Sequence, residues 1–149
     1  MKNNEKFNLK LLARNQEDLR VISAYLQDSV VTIKDVVFLQ KNRTFILIVN
    51  RFMWEDVEKG VFRENKRIRC AVKFEEVLKV ESKNINQKNK NKPLECLAIE
   101  CKEIEDKGNK IKIFFAGDSI ITIIVEIIDV ILHDLGDPWS VKHLPKHKF

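Results

Sequence analysis

The chain has 149 residues, 44% hydrophobic and 33% charged, a composition that lets a domain bury a core without disulfide or metal staples. This excludes a fully disordered chain, a collagen-like chain, a disulfide scaffold and a multi-span membrane protein. The 27 Lys and Arg against 22 Asp and Glu leave a net charge of +5. Lysine outnumbers arginine 20 to 7, however, a bias that AT-rich codon usage would also produce, so the charge alone identifies no partner.

The first residues, Met1 to Phe7, are charged and are not followed by the apolar stretch of a signal peptide, so the expectation is a cytoplasmic protein that does not engage a membrane. The one long apolar run, Ile120 to Leu132, is interrupted by Glu126 and Asp129 and falls short of the roughly 20 residues of a spanning helix. It reads as a core segment. Three cysteines, an odd number, fit a reducing compartment, and Cys70 sits among core-type residues.

A short strand is predicted over Leu9–Ala13, followed by a helix over Asn15–Gln27. Asn15 is the expected N-cap, Glu17 and Asp18 complement the positive end of the helix dipole, and Leu19, Ile22, Ser23 and Leu26 share one face. That face should lie on a sheet. From Val30 onward the period changes from 3.6 to 2, predicting antiparallel strands near Val30–Ile33, Val36–Gln40, Thr44–Asn50, Lys66–Phe74, Val77–Ser82, Leu94–Glu103, Lys110–Phe115 and Ile120–Glu126. The last is expected to continue to Leu135 past a bend. Ile124, Ile127, Ile128 and Ile131 would also make a helical stripe, but the β-branched density favours a strand with a bulge near Glu126.

Lys41–Arg43, Lys107–Asn109 and Ala116–Asp118 carry turn chemistry. The predicted architecture is α+β and mainly antiparallel: a meandering sheet curled into a small barrel or sandwich, with one N-terminal helix packed on it. One domain spanning 1–149 is expected. Residues 83–92, with four lysines and a single apolar residue, read as a mobile basic loop, and 141–149 as a basic C-terminal tail.

Enzyme motifs fail on inventory. Four glycines supply no phosphate-binding or nucleophile-elbow signature, and Gly117-Asp118-Ser119 sits where a hairpin turn is needed. Cys96 and Cys101 are five apart, which would put them on opposite faces of a regular strand, and His143 and His147 are separated by Pro145 with no third ligand nearby. No metal, cofactor or catalytic residue is assigned. The acids Glu126, Asp129, Asp134 and Asp137 would hold a cation or a basic partner, or pair with the chain's own lysines, the reading preferred.

The segment from Asn50 to Lys73 carries the functional signal. Arg51, Phe52 and Trp54 precede Arg63, Lys66, Arg67, Arg69 and Lys73, so four of the seven arginines gather here. In a strand over Lys66–Phe74, Ile68, Cys70, Val72 and Phe74 point inward and Arg67, Arg69 and Lys73 outward, forming a basic stripe. With Phe52 or Trp54 beside it, the stripe would suit single-stranded nucleic acid through charge plus stacking. Alternatively, Phe52 and Trp54 are core anchors and the arginines pair with Glu55, Asp56, Glu58 and Glu64.

Leu26-Gln27-Asp28, Asn50-Arg51-Phe52 with Trp54-Glu55, Phe74 with Val77, Phe115-Ala116-Gly117, Asp134-Leu135-Gly136 with Trp139, then Pro145 and His147, together resemble the alphaproteobacterial family called domain of unknown function 2948. The resemblance spans nearly the whole chain and implies a cytoplasmic single-domain protein, with no activity, cofactor or partner to carry over. Two departures are a longer Asn84–Lys92 loop and lysine in place of much of the arginine, which weakens bidentate phosphate recognition. The expectation is a non-enzymatic binding or adaptor domain for a macromolecule, protein or RNA, in its sharpest form a weak RNA or polyanion binder. The alternative is a small-ligand protein or enzyme with its site at the barrel mouth near Arg51, Trp54 and Asp134.

Overall fold

A computed structural model describes residues 9–53 and 65–141, with side chains for 9–53 and 67–136. β1 (Lys10–Ala13) leads into α1 (Gln16–Leu26). Asn15 has extended backbone angles, and its Oδ1 accepts the Asp18 N–H at 2.8 Å, while Asp18 Oδ2 accepts the Arg14 N–H at 3.0 Å. The first bond satisfies a donor that the first turn leaves without a helical partner, and the second ties the residue before the cap to the helix. The helix stops at Gln27, and Asp28 turns the chain with φ 65°. Leu19, Ile22 and Leu26 are buried, contributing roughly 1.5–3 kcal/mol each. They pack α1 against the sheet, and Ser23 Oγ accepts the Ile99 N–H at 2.9 Å.

Nine further strands follow: β2 (Val30–Thr32), β3 (Val36–Leu39), β4 (Thr44–Phe52), β5 (Asn65–Phe74), β6 (Val77–Lys83), β7 (Pro93–Ile104), β8 (Gly108–Phe115), β9 (Ser119–Val125) and β10 (Val130–Val141). They form one antiparallel sheet in the order β1-β10-β5-β4-β2-β7-β8-β9-β6, with β3 on β4. The α+β class and the helix on the sheet are as expected. The sheet is open, however, with β1 and β6 at its ends, and its order is not a sequential meander.

The reason lies at one corner. β5 passes into β6 through Glu75 and Glu76, the latter at φ 55°, and β9 passes into β10 through Glu126–Asp129. The Glu75 N–H donates to the Asp129 carbonyl and the Glu126 N–H to the Glu76 carbonyl, both at 2.9 Å. The pairs β5–β10 and β6–β9 are therefore two halves of one bent ribbon, which carries the chain from one part of the sheet to the other. The isoleucine-rich segment is strand on both sides of this bend, and no helix forms in it. The turn at Lys107–Asn109 requires glycine: Gly108 has φ +92°, and a Cβ there would lie 2.2 Å from the Val125 carbonyl oxygen.

Inward positions alternate along each strand. Phe45, Leu47 and Val49 of β4 face Ile68, Cys70, Val72 and Phe74 of β5, then Val130 and Leu132 of β10. Ile111, Ile113 and Phe115 of β8 with Ile121, Ile123 and Val125 of β9 complete the core. The 83–92 segment is anchored at several points. Ile85 packs against the core, Asn84 Nδ2 donates to the Asp118 carbonyl at 2.9 Å, and the Lys34 N–H donates to the Lys90 carbonyl at 2.9 Å.

Candidate binding face

β5 has the alternation its sequence implies: Ile68, Cys70, Val72 and Phe74 are buried, Arg69 and Lys73 are exposed and Arg67 is half-buried on the opposite face. Register then sets their neighbours. Lys73 lies between Ile46 of β4 and Ile131 of β10, Ala71 between Ile48 and His133, and Arg69 between Asn50 and Leu135. Lys10 and Leu12 of β1 extend these rows beside His133 and Ile131. Among the described residues, the outward positions of β1, β10, β5 and β4 include Lys10, His133, Arg69 and Lys73 and no carboxylate. Lys73 reaches Glu75 at the corner, Nζ to Oε2 3.4 Å, and Glu75 also accepts the Thr44 hydroxyl at 2.8 Å.

Arg67 has a structural duty as well as a charge. Its Nη1 donates at 3.3 Å to the carbonyls of Asp28 and Asn50, tying the end of α1 to β4, and its guanidinium carbon lies 5.9 Å from the centre of the Phe52 ring. Burial pushes its pKa below the ordinary arginine value, with Asp28 and Glu95 acting in the other direction. An arginine remains charged under such a shift. Phe52 is half-buried beneath this cation, so aromatic ring and guanidinium form one layered group.

Arg51 is the correction. It was expected on the basic surface, but it is fully buried, as is Asp134. Nε donates to Oδ1 at 2.9 Å and Nη2 to Oδ2 at 2.8 Å, a bidentate pair spanning β5 between β4 and β10. The Leu9 N–H adds a third bond to Asp134 Oδ2 at 3.1 Å, and Arg51 lies 5.5 Å over the Tyr25 ring. A guanidinium so enclosed cannot meet a phosphate at the surface. Among the described residues the space between Arg51 and Asp134 is occupied by their ion pair, and Trp54, the third residue of the expected small-molecule site, lies outside the described residues. Trp54 and Arg63 lie outside the described residues, as do Glu55, Asp56, Glu58, Glu64, His143 and His147 and the side chains of Lys66, Asp137 and Trp139.

Other acids of the 126–137 segment also pair within the chain, though with arginines instead of the expected lysines. Glu126 pairs with Arg43, and Asp129 Oδ1 lies 3.8 Å from Arg14 Nε. Burial holds the thiols in their protonated form, pushing Cys70 and Cys96 each up to about 12 and raising Cys101. Cys96 and Cys101 fall on the same side of β7, contrary to the spacing argument, because the register shift between Cys96 and Ala98 inserts a residue. Among the described residues, no three His, Cys, Asp or Glu side chains gather as a metal site, and no helix is long and apolar enough to cross a membrane.

Sequence reasoning missed His133 and Lys10 as neighbours of the stripe. His133 alternates with buried Leu132 and Asp134 and so was assignable to the outer face, but its place beside β5 depends on the strand order.

Residues 9–147 match the family described as protein of unknown function (DUF2948), and the chain belongs to that family. No curated protein and no solved structure matches it.

Proposed function

We propose that this member of the DUF2948 family is a non-enzymatic, cytoplasmic, single-domain binding protein whose outer β10-β5-β4 face takes a single-stranded polyanion such as RNA. The observation that carries this reading is the outward row of β5, where Arg69 and Lys73 stand beside Arg67 on Phe52, with Lys10 and His133 close by and no described carboxylate among the outward positions of these strands. Like charges at alternate positions of one strand repel one another, so such a row stabilises the free protein little and suits a ligand that supplies the counter-charge. Ile46, Ile48, Ile131 and Leu135 supply apolar surface between the cations, against which bases would lie. The ligand-contacting residues are therefore Arg69, Lys73 and the Arg67–Phe52 layer, with Arg51 excluded.

Fluorescence anisotropy of a labelled 20-nucleotide oligouridylate tests this. Three neutralised phosphates give a log–log salt slope of about −2, or roughly twentyfold weaker binding from 50 to 200 mM salt. Arg69→Glu/Lys73→Glu should abolish binding and leave the urea midpoint near that of the unaltered protein. Binding that ignores both salt and the double variant would refute the reading.

A further inference from the structure

We propose that the groove between β3–β4 and β6 is a second, separate site, which binds a small amphipathic anion with a medium-length alkyl or aryl tail and a carboxylate head. It lies on the other side of the sheet from the basic stripe: Phe45 lines it, whereas Ile46 and Ile48 face outward. The cavity measures about 310 Å³ and is walled by Val36, Phe38, Phe45, Val80, Leu94 and Ile121. At ~30 Å³ for each water-sized volume, this is room for roughly ten heavy atoms, near the lower end of small-molecule sites. Two strands that pair on one side among the described residues flank the opening, β3 bonded to β4 and β6 to β9. The space between them is what the open sheet leaves unfilled.

The polar groups of this cavity converge on the loop side. Glu81, Ser82, Gln87 and Lys90 line it, and Gln87 Nε2 donates to Ser82 Oγ at 3.0 Å. The Lys34 N–H bonds the Lys90 carbonyl at 2.9 Å and the Ile33 N–H bonds the Lys92 carbonyl at 3.3 Å, which brings the backbones of Lys34, Lys90 and Lys92 together beside the cavity, with Lys90 in its lining. All three are exposed. The carboxylate of the lining, Glu81, is held by Lys79, Oε2 to Nζ 3.0 Å, and Asp35 nearby accepts the Thr32 hydroxyl at 2.8 Å. An apolar hollow with a cationic rim complements a molecule that is apolar at one end and anionic at the other. The lysine-rich loop, which the polyanion face does not use, thereby becomes the rim that selects the sign of the head group.

Isothermal titration of the full chain with decanoate and with decyltrimethylammonium tests the site. Decanoate should saturate at one per chain, with Kd below 1 mM and well under its micelle concentration, and the cation of equal tail length should bind at least tenfold more weakly. Lys90→Glu, a change at an exposed side chain, should weaken decanoate at least threefold without moving the urea midpoint, and Val80→Trp, which fills the hollow, should abolish binding. Absence of saturation, equal affinity for the two head groups, or an unchanged Kd in Lys90→Glu would each overturn the proposal. Should Val80→Trp not fold, Lys90→Glu and the paired probes decide alone.

Discussion

Removing one partner of the Arg51–Asp134 pair is the sharpest perturbation the fold offers. Both side chains are fully enclosed, and the two parallel bonds at 2.9 and 2.8 Å hold a full charge on each side. Asp134→Ala strands a guanidinium in the interior and takes the acceptor from the Leu9 N–H. A stranded buried charge costs about 3–5 kcal/mol. For a chain of this length that corresponds to a fall in melting temperature of roughly 6–20 °C.

Asp134→Asn also leaves the guanidinium charge without its counter-ion and turns an NH2 donor toward one of the Arg51 donors, so its cost should fall in the same range of about 3–5 kcal/mol. Replacing both partners with apolar residues, as in Arg51→Met/Asp134→Leu, should return stability to within ~1 kcal/mol of the starting protein, since the desolvation of two charges is avoided. Urea unfolding of the unaltered protein, Arg51→Met, Asp134→Leu and Arg51→Met/Asp134→Leu gives the coupling directly. Additive effects, or an Asp134→Ala cost below ~1 kcal/mol, would refute the account of a tightly coupled buried pair. Arg51→Met/Asp134→Leu should also bind oligouridylate as the unaltered protein does, because Arg51 has no surface to offer.

Three further outcomes follow from the geometry. Asn15→Ala should destabilise by about 1 kcal/mol in urea unfolding, the usual worth of an N-cap that accepts a first-turn N–H, and Asn15→Gly by only a few tenths. Gly108→Ala should be more damaging, since the positive φ and the 2.2 Å approach to the Val125 carbonyl strain the β7–β8 turn together; loss of the β8–β9 amide protection in hydrogen exchange would report it. Stability should fall as pH rises above about 9, because the unfolded chain releases the Cys70 and Cys96 protons there while the native thiols keep theirs up to about 12. The unfolded state then binds fewer protons, and the limiting slope from two thiols is about −2.7 kcal/mol per pH unit. Cys96→Ala should reduce that slope relative to the unaltered protein, as followed by urea midpoints from pH 8 to 11.

The sequence made the helix legible because Asn15, the acids after it and the Leu19–Ile22–Leu26 face agree with one another. β5 was legible for the same reason, with Ile68, Cys70, Val72 and Phe74 at inward positions and Arg67, Arg69 and Lys73 at outward ones. Arg51 was misplaced although the signal was present: it shares the inward phase of Phe45, Leu47 and Val49, as Asp134 shares that of Val130 and Leu132. Opposite charges at inward phases of two strands mark a buried pair once those strands are known to lie close. That closeness comes from tertiary pairing, with β10 between β1 and β5, and no local pattern encodes it. The Cys96–Cys101 parity failed because one inserted residue reverses every side chain beyond it. The open groove was invisible for a similar reason, since it is flanked by β3 and β6, which pair on one side among the described residues.

The central claim, that the outer β10-β5-β4 face is the binding surface, is tested most directly by amide chemical-shift mapping during titration with oligouridylate at low salt. Shifts should concentrate at Asn50–Phe52, Arg67–Lys73 and Ile131–Leu135 and vanish when salt is raised to 500 mM. Shifts confined to β8 and β9, or no shifts under conditions where anisotropy reports binding, would contradict it.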